Sequence, residues 1–140
     1  MDTKEMKCVM VIDEELPAGI IANTAGIMGI TLGKYVPEVV GSTVTDADGN
    51  EHLGVIQFPV PILKGNKDIL KQIRTRLYEE EFKELVTVDF SDVAQSCKNY
   101  GEYIEKAACA EKDDIEYYGI AICGSKKKVN KLTGSMPLLR

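Results

Sequence analysis

"KCVMVIDEELPAGIIANTAGIMGITLGK", Lys7 to Lys34, joins a short apolar run to a long helix-like segment, and its reading decides the fold. "KCVMVID" (Lys7 to Asp13) is a continuous apolar run rich in valine, the pattern of a strand covered on both faces. Pro17 suits the first turn of a helix, where its missing N–H costs nothing, and Gly33 with Pro37 marks the far end. In between, Gly19, Ala22, Gly26, Gly29 and Gly33 recur at spacings of three, four, three and four. Each interior glycine costs a helix about 0.5–1 kcal/mol. The spacing therefore predicts a bare face packed closely on a neighbouring element, with that contact offsetting the cost.

Outward from this strand–helix unit, two β-rich segments between Val39 and Phe58 flank "DADGNEH", and Asp48-Gly49 predicts a two-residue type I′ hairpin turn. The turn resembles a calcium loop only superficially. Gly49 is fourth from Asp46, whereas an EF-hand needs glycine at the sixth position and helices on both sides. "FPVPILKGN" (Phe58 to Asn66) reads as an extended, proline-punctuated linker. Asn66 caps a helix whose apolar stripe is Ile69, Leu70, Ile73, Leu77 and Phe82. "LVTVDF" (Leu85 to Phe90) is a third buried strand, Ser91 caps a helix carrying Val93, Cys97, Tyr100, Ile104 and Ala108, and "IEYYGIAICG" (Ile115 to Gly124) is the last strand. The order of elements predicts one α/β domain over residues 1–140, a three-layer α/β/α sandwich around a small mixed, mostly parallel sheet.

Bulk properties agree with one folded domain. The chain of 140 residues is 44% hydrophobic and 28% charged, long enough for a core without metal or disulfide staples. Its four cysteines show no CxxC or zinc-knuckle spacing, so they read as buried thiols in a reducing compartment, and the expected location is cytoplasmic. The start "MDTKEMK" is charged and lacks the layout of a signal peptide. No stretch approaches the roughly 18 apolar residues of a membrane span. A formal net charge of −5 argues against non-specific coating of nucleic acid. "KKKVNK" (Lys126 to Lys131) is the local exception, either a solvated basic turn or a contact for phosphates.

In open α/β sheets, ligands gather outside the carboxyl ends of parallel strands. That rule points to Asp13 after the first strand, Asp89 after the third and the start of the glycine-striped helix. Asn23 and Thr24 are strongly polar residues within that helix, and each must bond backbone or face a polar ligand. Gln57 from the extended segment and Lys34 or Lys64 complete the expected lining as possible charge partners. Asp89 is assigned as base or orienter. The spacing requires no metal and no cofactor. His52, the single histidine, falls on a strand with no visible nucleophile beside it. GxSxG, GxxxxGK[ST], HExxH and GxGxxG are all missing, which removes weight from the reactions they serve.

"CVMVIDEELPAGIIANTAGIMG", "HLGVIQFPVPILKG" and "GIAICGSKKKVNKLTGSMPLL" together resemble the family known as domain of unknown function 2000, over nearly the whole chain. That family is grouped by fold with type 2 peptidyl-tRNA hydrolases. Those enzymes carry an Asp-Leu pair, a Gly-Lys-Ile-Ala-Ala-Gln helix and a Lys-Val-Thr-Gly-His-Leu-Lys-Leu-Leu-like ending. Here the counterparts are Glu15-Leu16, Gly19 to Thr24 and Lys131 to Leu139. The resemblance implies a type 2 peptidyl-tRNA hydrolase-like fold. It places the hydrolases' helix lysine at Ile20, their glutamine at Thr24, their histidine at or near Ile27, their aspartate at Asp89 and their last-strand threonine near Tyr118. An apolar Ile20 cannot replace an ammonium that meets phosphate or developing negative charge. The segment from Ser91 to Asp114 exceeds the hydrolases' own and adds a helix whose Tyr100 and Tyr103 either line a pocket or pack on the sheet.

The leading expectation is thus a domain that binds or hydrolyses a small polar, small-molecule or peptide-like substrate at the strand ends. Aminoacyl- or peptidyl-tRNA hydrolysis with a rebuilt site is an alternative, discriminated by whether Lys126 to Lys131 lies beside the pocket. A non-enzymatic homodimeric binding module, paired through edge strands or the Val39 to Phe58 hairpin, is another.

Overall fold

β1 (Met6–Asp13) is the strand on which the rest is assembled, with seven of its eight residues buried. A computed structural model describes residues 2–140. After β1 come α1 (Ala18–Tyr35), a short arm of β2 (Val44–Thr45) and β3 (Glu51–His52), β4 (Ile62–Gly65) and α2 (Lys67–Leu77). Then follow β5 (Val86–Ser91), α3 (Asp92–Gln95), α4 (Tyr100–Cys109), β6 (Tyr117–Ser125) and α5 (Lys126–Thr133). The main sheet has the order β4-β1-β6-β5. On one face Met28, Leu32 and Val36 cover Cys8, Met10, Ile12 and Ala121. On the other, Leu70, Ile73 and Leu77 of α2 with Val129 and Leu132 of α5 cover Val9, Val11, Ile120 and Ile122. The alternation of odd and even β1 residues between the two faces follows from the strand's period of two.

The sheet is mixed, but the expectation of mostly parallel strands needs correction. Only β1 and β4 run parallel; β6 is antiparallel to both β1 and β5. The reason lies in the connection between β5 and β6. A parallel crossover would carry the chain to the opposite end of the sheet, whereas here it leaves and returns at one end. Asp92 N–H donates to the Glu116 carbonyl at 2.9 Å and the Asp92 carboxylate accepts from Glu116 N–H at 3.1 Å, so α3 and α4 hang from a closed neck. The single helix expected after Ser91 is accordingly two helices, with Asn99 capping the second.

Other local expectations shift for identifiable reasons. "FPVPILKGN" contains β4, because Pro61, which cannot donate, still accepts from Met10 N–H at 3.0 Å and starts the parallel pairing. The outer edge of β4 is covered by the C-terminal segment, with Lys64 N–H donating to Pro137 and Leu139 N–H to Ile62. The arm does not turn through a type I′ pair, since among the described residues only glycines have positive φ, and Asp48 therefore does not. Gly49 N–H donates to the Asp46 carbonyl and Gly49 takes φ +85°, giving a four-residue turn closed by a glycine. Cys8 and Cys123, expected as free thiols, are joined by a disulfide. The register sets them directly opposite on adjacent antiparallel strands, with Cα atoms 4.2 Å apart.

Most of the glycine stripe of α1 faces the other way from expectation, and only Gly29 approaches the sheet, its Cβ position 3.8 Å from Met10 Cε. Side-chain carbons built on Gly19, Gly26 and Gly33 meet nothing within 4 Å, and Ile30 on the same outer side is 79% exposed. Close approach does occur, but the glycine that permits it is Gly119 on β6. A Cβ there would lie 2.9 Å from Thr24 Cγ2 and Met28 Cε and 3.2 Å from the Val11 carbonyl oxygen. Gly119→Ala is therefore expected to destabilise the protein by about 1–3 kcal/mol through overpacking. Gly26→Ala fills open space on a helix and should stabilise by about 0.5–1 kcal/mol. Urea unfolding of both variants checks the pair, and a destabilised Gly26→Ala would show that the outer face of α1 is covered in solution.

Candidate ligand-binding cleft

The hanging segment between β5 and β6 builds one wall of a cleft, and α1 and the outer strand β5 build the others. Asn99 Oδ1 accepts from Glu102 N–H at 2.8 Å, capping α4. The Glu102 carboxylate pairs with Lys106 at 2.9 Å, and that contact holds it below the usual carboxylate range. A helix start fixed in this way positions Tyr100 and Tyr103 one turn apart, with rings 5.6 Å apart and edge to face. They stand over a cavity of about 410 Å³. Ile27 of α1, Val88 and Phe90 of β5 and Ala94 supply its apolar wall. Thr31, Asp89, Cys97 and Asn99 supply polar groups.

Asp89 is the charged centre of this region. Val88 and Phe90 point to the α1 side, while Asp89, which pairs in register with Ile120 of the opposite core, also borders the cleft. Arg74 Nε donates to its Oδ2 at 2.9 Å, and the guanidinium lies 4.2 Å from the centre of the Tyr78 ring. Burial, and secondarily the Asp89 charge, push the phenols of Tyr103 and Tyr117 above their ordinary value. Cys97 Sγ–H donates to the Val93 carbonyl at 3.0 Å.

Of the polar residues assigned to the site, only Asp89 borders this cleft, while Tyr100 and Tyr103, expected either to line a pocket or to pack on the sheet, line it. Asp13 is buried at the end of β1, where its Oδ1 accepts from Glu15 N–H and shapes the turn into α1. Asn23 lies on the exposed side of α1. Thr24 is fully buried against Gly119, and its hydroxyl has no hydrogen-bond partner. Gln57 Nε2 donates to the Glu38 carbonyl and braces the arm. Lys34 lies over the Tyr35 ring, and Lys64 sits on β4, beyond β1 and β6 from the cleft. His52 pairs with Asp46 at 2.8 Å at the exposed end of the arm, and that contact holds Asp46 below the usual carboxylate range.

Cys97, Lys98 and Asn99 were missed as site residues, although Asn99 followed three residues later by Glu102 is a legible helix start. Lys126 follows Ser125, which pairs with Met6 at the far end of the sheet from Phe90 and Ser91, so the basic run does not adjoin the cleft. Within the described residues no three His, Cys, Asp or Glu side chains gather at metal-binding range, and no helix is long and apolar enough to cross a membrane.

The buried phenols give a test of this geometry. Their folded-state values lie above the unfolded 10.0, so both states are neutral at lower pH and the stabilisation is complete there. It is lost as pH rises through the folded values, because the unfolded chain releases its protons first. In a titration of phenolate absorbance, two of the six tyrosines should ionise later than the rest, and Tyr103→Phe should remove one late step. Simultaneous ionisation of all six would contradict the placement of Tyr103 and Tyr117.

Comparison with known proteins adds the following. The chain is similar in structure to a protein of unknown function, Atu0240, from Agrobacterium tumefaciens strain C58. The TM-score is 0.85 at 16% identity, over 96% of this chain and 97% of that one. At this identity the likeness shows a shared fold. No curated protein matches the sequence. The profile of the family described as "Protein of unknown function (DUF2000)" matches residues 6–140, and the chain belongs to that family.

Proposed function

We propose that the protein binds a small molecule with an aromatic or aliphatic body and a polar end in the cleft beside β5. The observation that carries this reading is the cavity itself, about 410 Å³, walled by Ile27, Phe90, Tyr100 and Tyr103 with a few polar groups among them. Mostly apolar linings of this size with sparse polar groups are the usual form of small-molecule sites. Tyr103 can donate from a phenol that stays neutral through physiological pH.

Binding is favoured over hydrolysis on chemical grounds. Asp89 already spends one carboxylate oxygen on Arg74, the Cys97 thiol donates to backbone, and the single histidine is paired with Asp46 on the arm. None of these contacts is a nucleophile–base pair. The kinship with type 2 peptidyl-tRNA hydrolases implied by the resemblance fits the location. Ile27 and Asp89, where that resemblance places the hydrolases' histidine and aspartate, border the cleft together. With isoleucine at one of the two, the place is kept and the polar group is gone.

Ligand-observed NMR with 4-hydroxyphenylacetate and benzamide tests the proposal. Saturable binding with a dissociation constant of about 1 mM or tighter is expected for fragments of this size. Thr31→Trp, which fills the cleft, and Tyr103→Ala, which removes a wall, should each weaken it at least about fivefold, equivalent to about 1 kcal/mol. Binding that is missing for both fragments, or unchanged in both variants, would overturn the reading.

A further inference from the structure

A second concavity, of about 440 Å³, lies where the N-terminus of β1 meets the start of α5, at the other end of the sheet from the cleft. Lys4, Lys126 and Lys127 line it together with Ser125 and Asn130. Lys7, outside the lining, donates from its Nζ to Asn130 Oδ1 at 2.6 Å. That bond occupies the carboxamide oxygen and leaves the Asn130 NH2 as a donor. Glu5 is the one carboxylate in the lining.

The lysines of the basic run divide into two sets. Lys128 pairs with Glu84 and Lys131 with Glu81, so their charges are matched within the fold. Lys4, Lys7, Lys126 and Lys127 form no ion pair among the described residues. On a chain of net charge −5 the overall field repels anions, so three unmatched ammoniums lining one hollow, with a fourth bonded to its Asn130, are a local exception to it. We infer that this concavity is a binding site for a small ligand bearing adjacent phosphate groups, held by Lys4, Lys126 and Lys127, with Lys7 orienting Asn130. Ammonium groups recognise phosphate as point charges, and several around one hollow suit a ligand with more than one phosphate. The volume admits a body beyond the phosphates.

Calorimetry at low salt with inorganic triphosphate and with a nucleoside triphosphate tests the inference, the two arms distinguishing phosphate alone from phosphate on a nucleoside. Saturable binding is expected for at least one, and tighter binding of the nucleotide would assign the remaining volume to its base and sugar. Lys126→Ala/Lys127→Ala should weaken binding about tenfold or more, and Glu5→Gln should tighten it. Lys128→Ala/Lys131→Ala, which removes the same charge from the same helix, should change it less than about twofold. All these positions are on the surface, and unchanged unfolding midpoints confirm intact folds. No saturable heat with millimolar triphosphate, binding of an RNA oligonucleotide but of neither small ligand, or equal weakening by the two double variants would overturn it.

Discussion

Gly119 lets α1 lie directly on β6, and the position of almost everything else on that side of the sheet follows from this contact. With hydrogen in place of a side chain, Thr24 and Met28 settle onto the strand above the Val11 carbonyl. The next turn of α1 then carries Ile27 and Thr31 beside β5, where they become a wall of the cleft. The same seating turns Gly19, Gly26 and Gly33 outward. The helix is thus anchored by its β-branched and long residues on a glycine of the sheet, the reverse of a glycine helix nestling on side chains. Three glycines and Ile30 thereby occupy an outer face where helix-favouring or charged residues would cost less.

The second determinant is the closed neck at Asp92. Because both ends of the α3–α4 excursion meet there, β6 must return antiparallel, and the excursion is held beside β5 instead of crossing a face of the sheet. The site is therefore at an edge. Edge strands present unpaired backbone groups and are commonly protected by covering elements. In this protein the covering element stands off far enough to leave a cavity lined by aromatic rings and bordered by Asp89 and Lys98. The covalent link between Cys8 and Cys123 lies at the other end of β6, so the central strand is tied to β1 there and contacted by α1 at Gly119.

Much of this was legible in the residues. β1, α2 with its Asn66 cap, β5 and β6 could be read from apolar runs and capping side chains, because those signals are local. Strand direction was not legible, since it depends on a hydrogen bond between Asp92 and Glu116, 24 residues apart in sequence. Nor was the disulfide, which joins residues 115 apart through a register set by the whole strand. The spacing of the glycines in α1 revealed that one face was bare but not which way it pointed; that was decided by Gly119, which carries no periodic signal. The rule that ligands gather at strand ends pointed to Asp13, whose Oδ1 accepts from Glu15 N–H in the turn into α1. Tyr100 and Tyr103 were recognisable as candidates, and their shared wall arises from a cap at Asn99 that breaks the segment into two helices.

The central claim is that the ligand-binding surface of this fold is the cleft beside the edge strand β5, and not a pocket around Asp13, Asn23 and Lys64. Backbone amide NMR during titration with 4-hydroxyphenylacetate tests it most directly. Progressive shifts confined to Ile27, Thr31, Ala94, Cys97 and Tyr103 are predicted. Shifts centred on Asp13, Asn23 and Lys64, with the cleft residues unmoved, would contradict it.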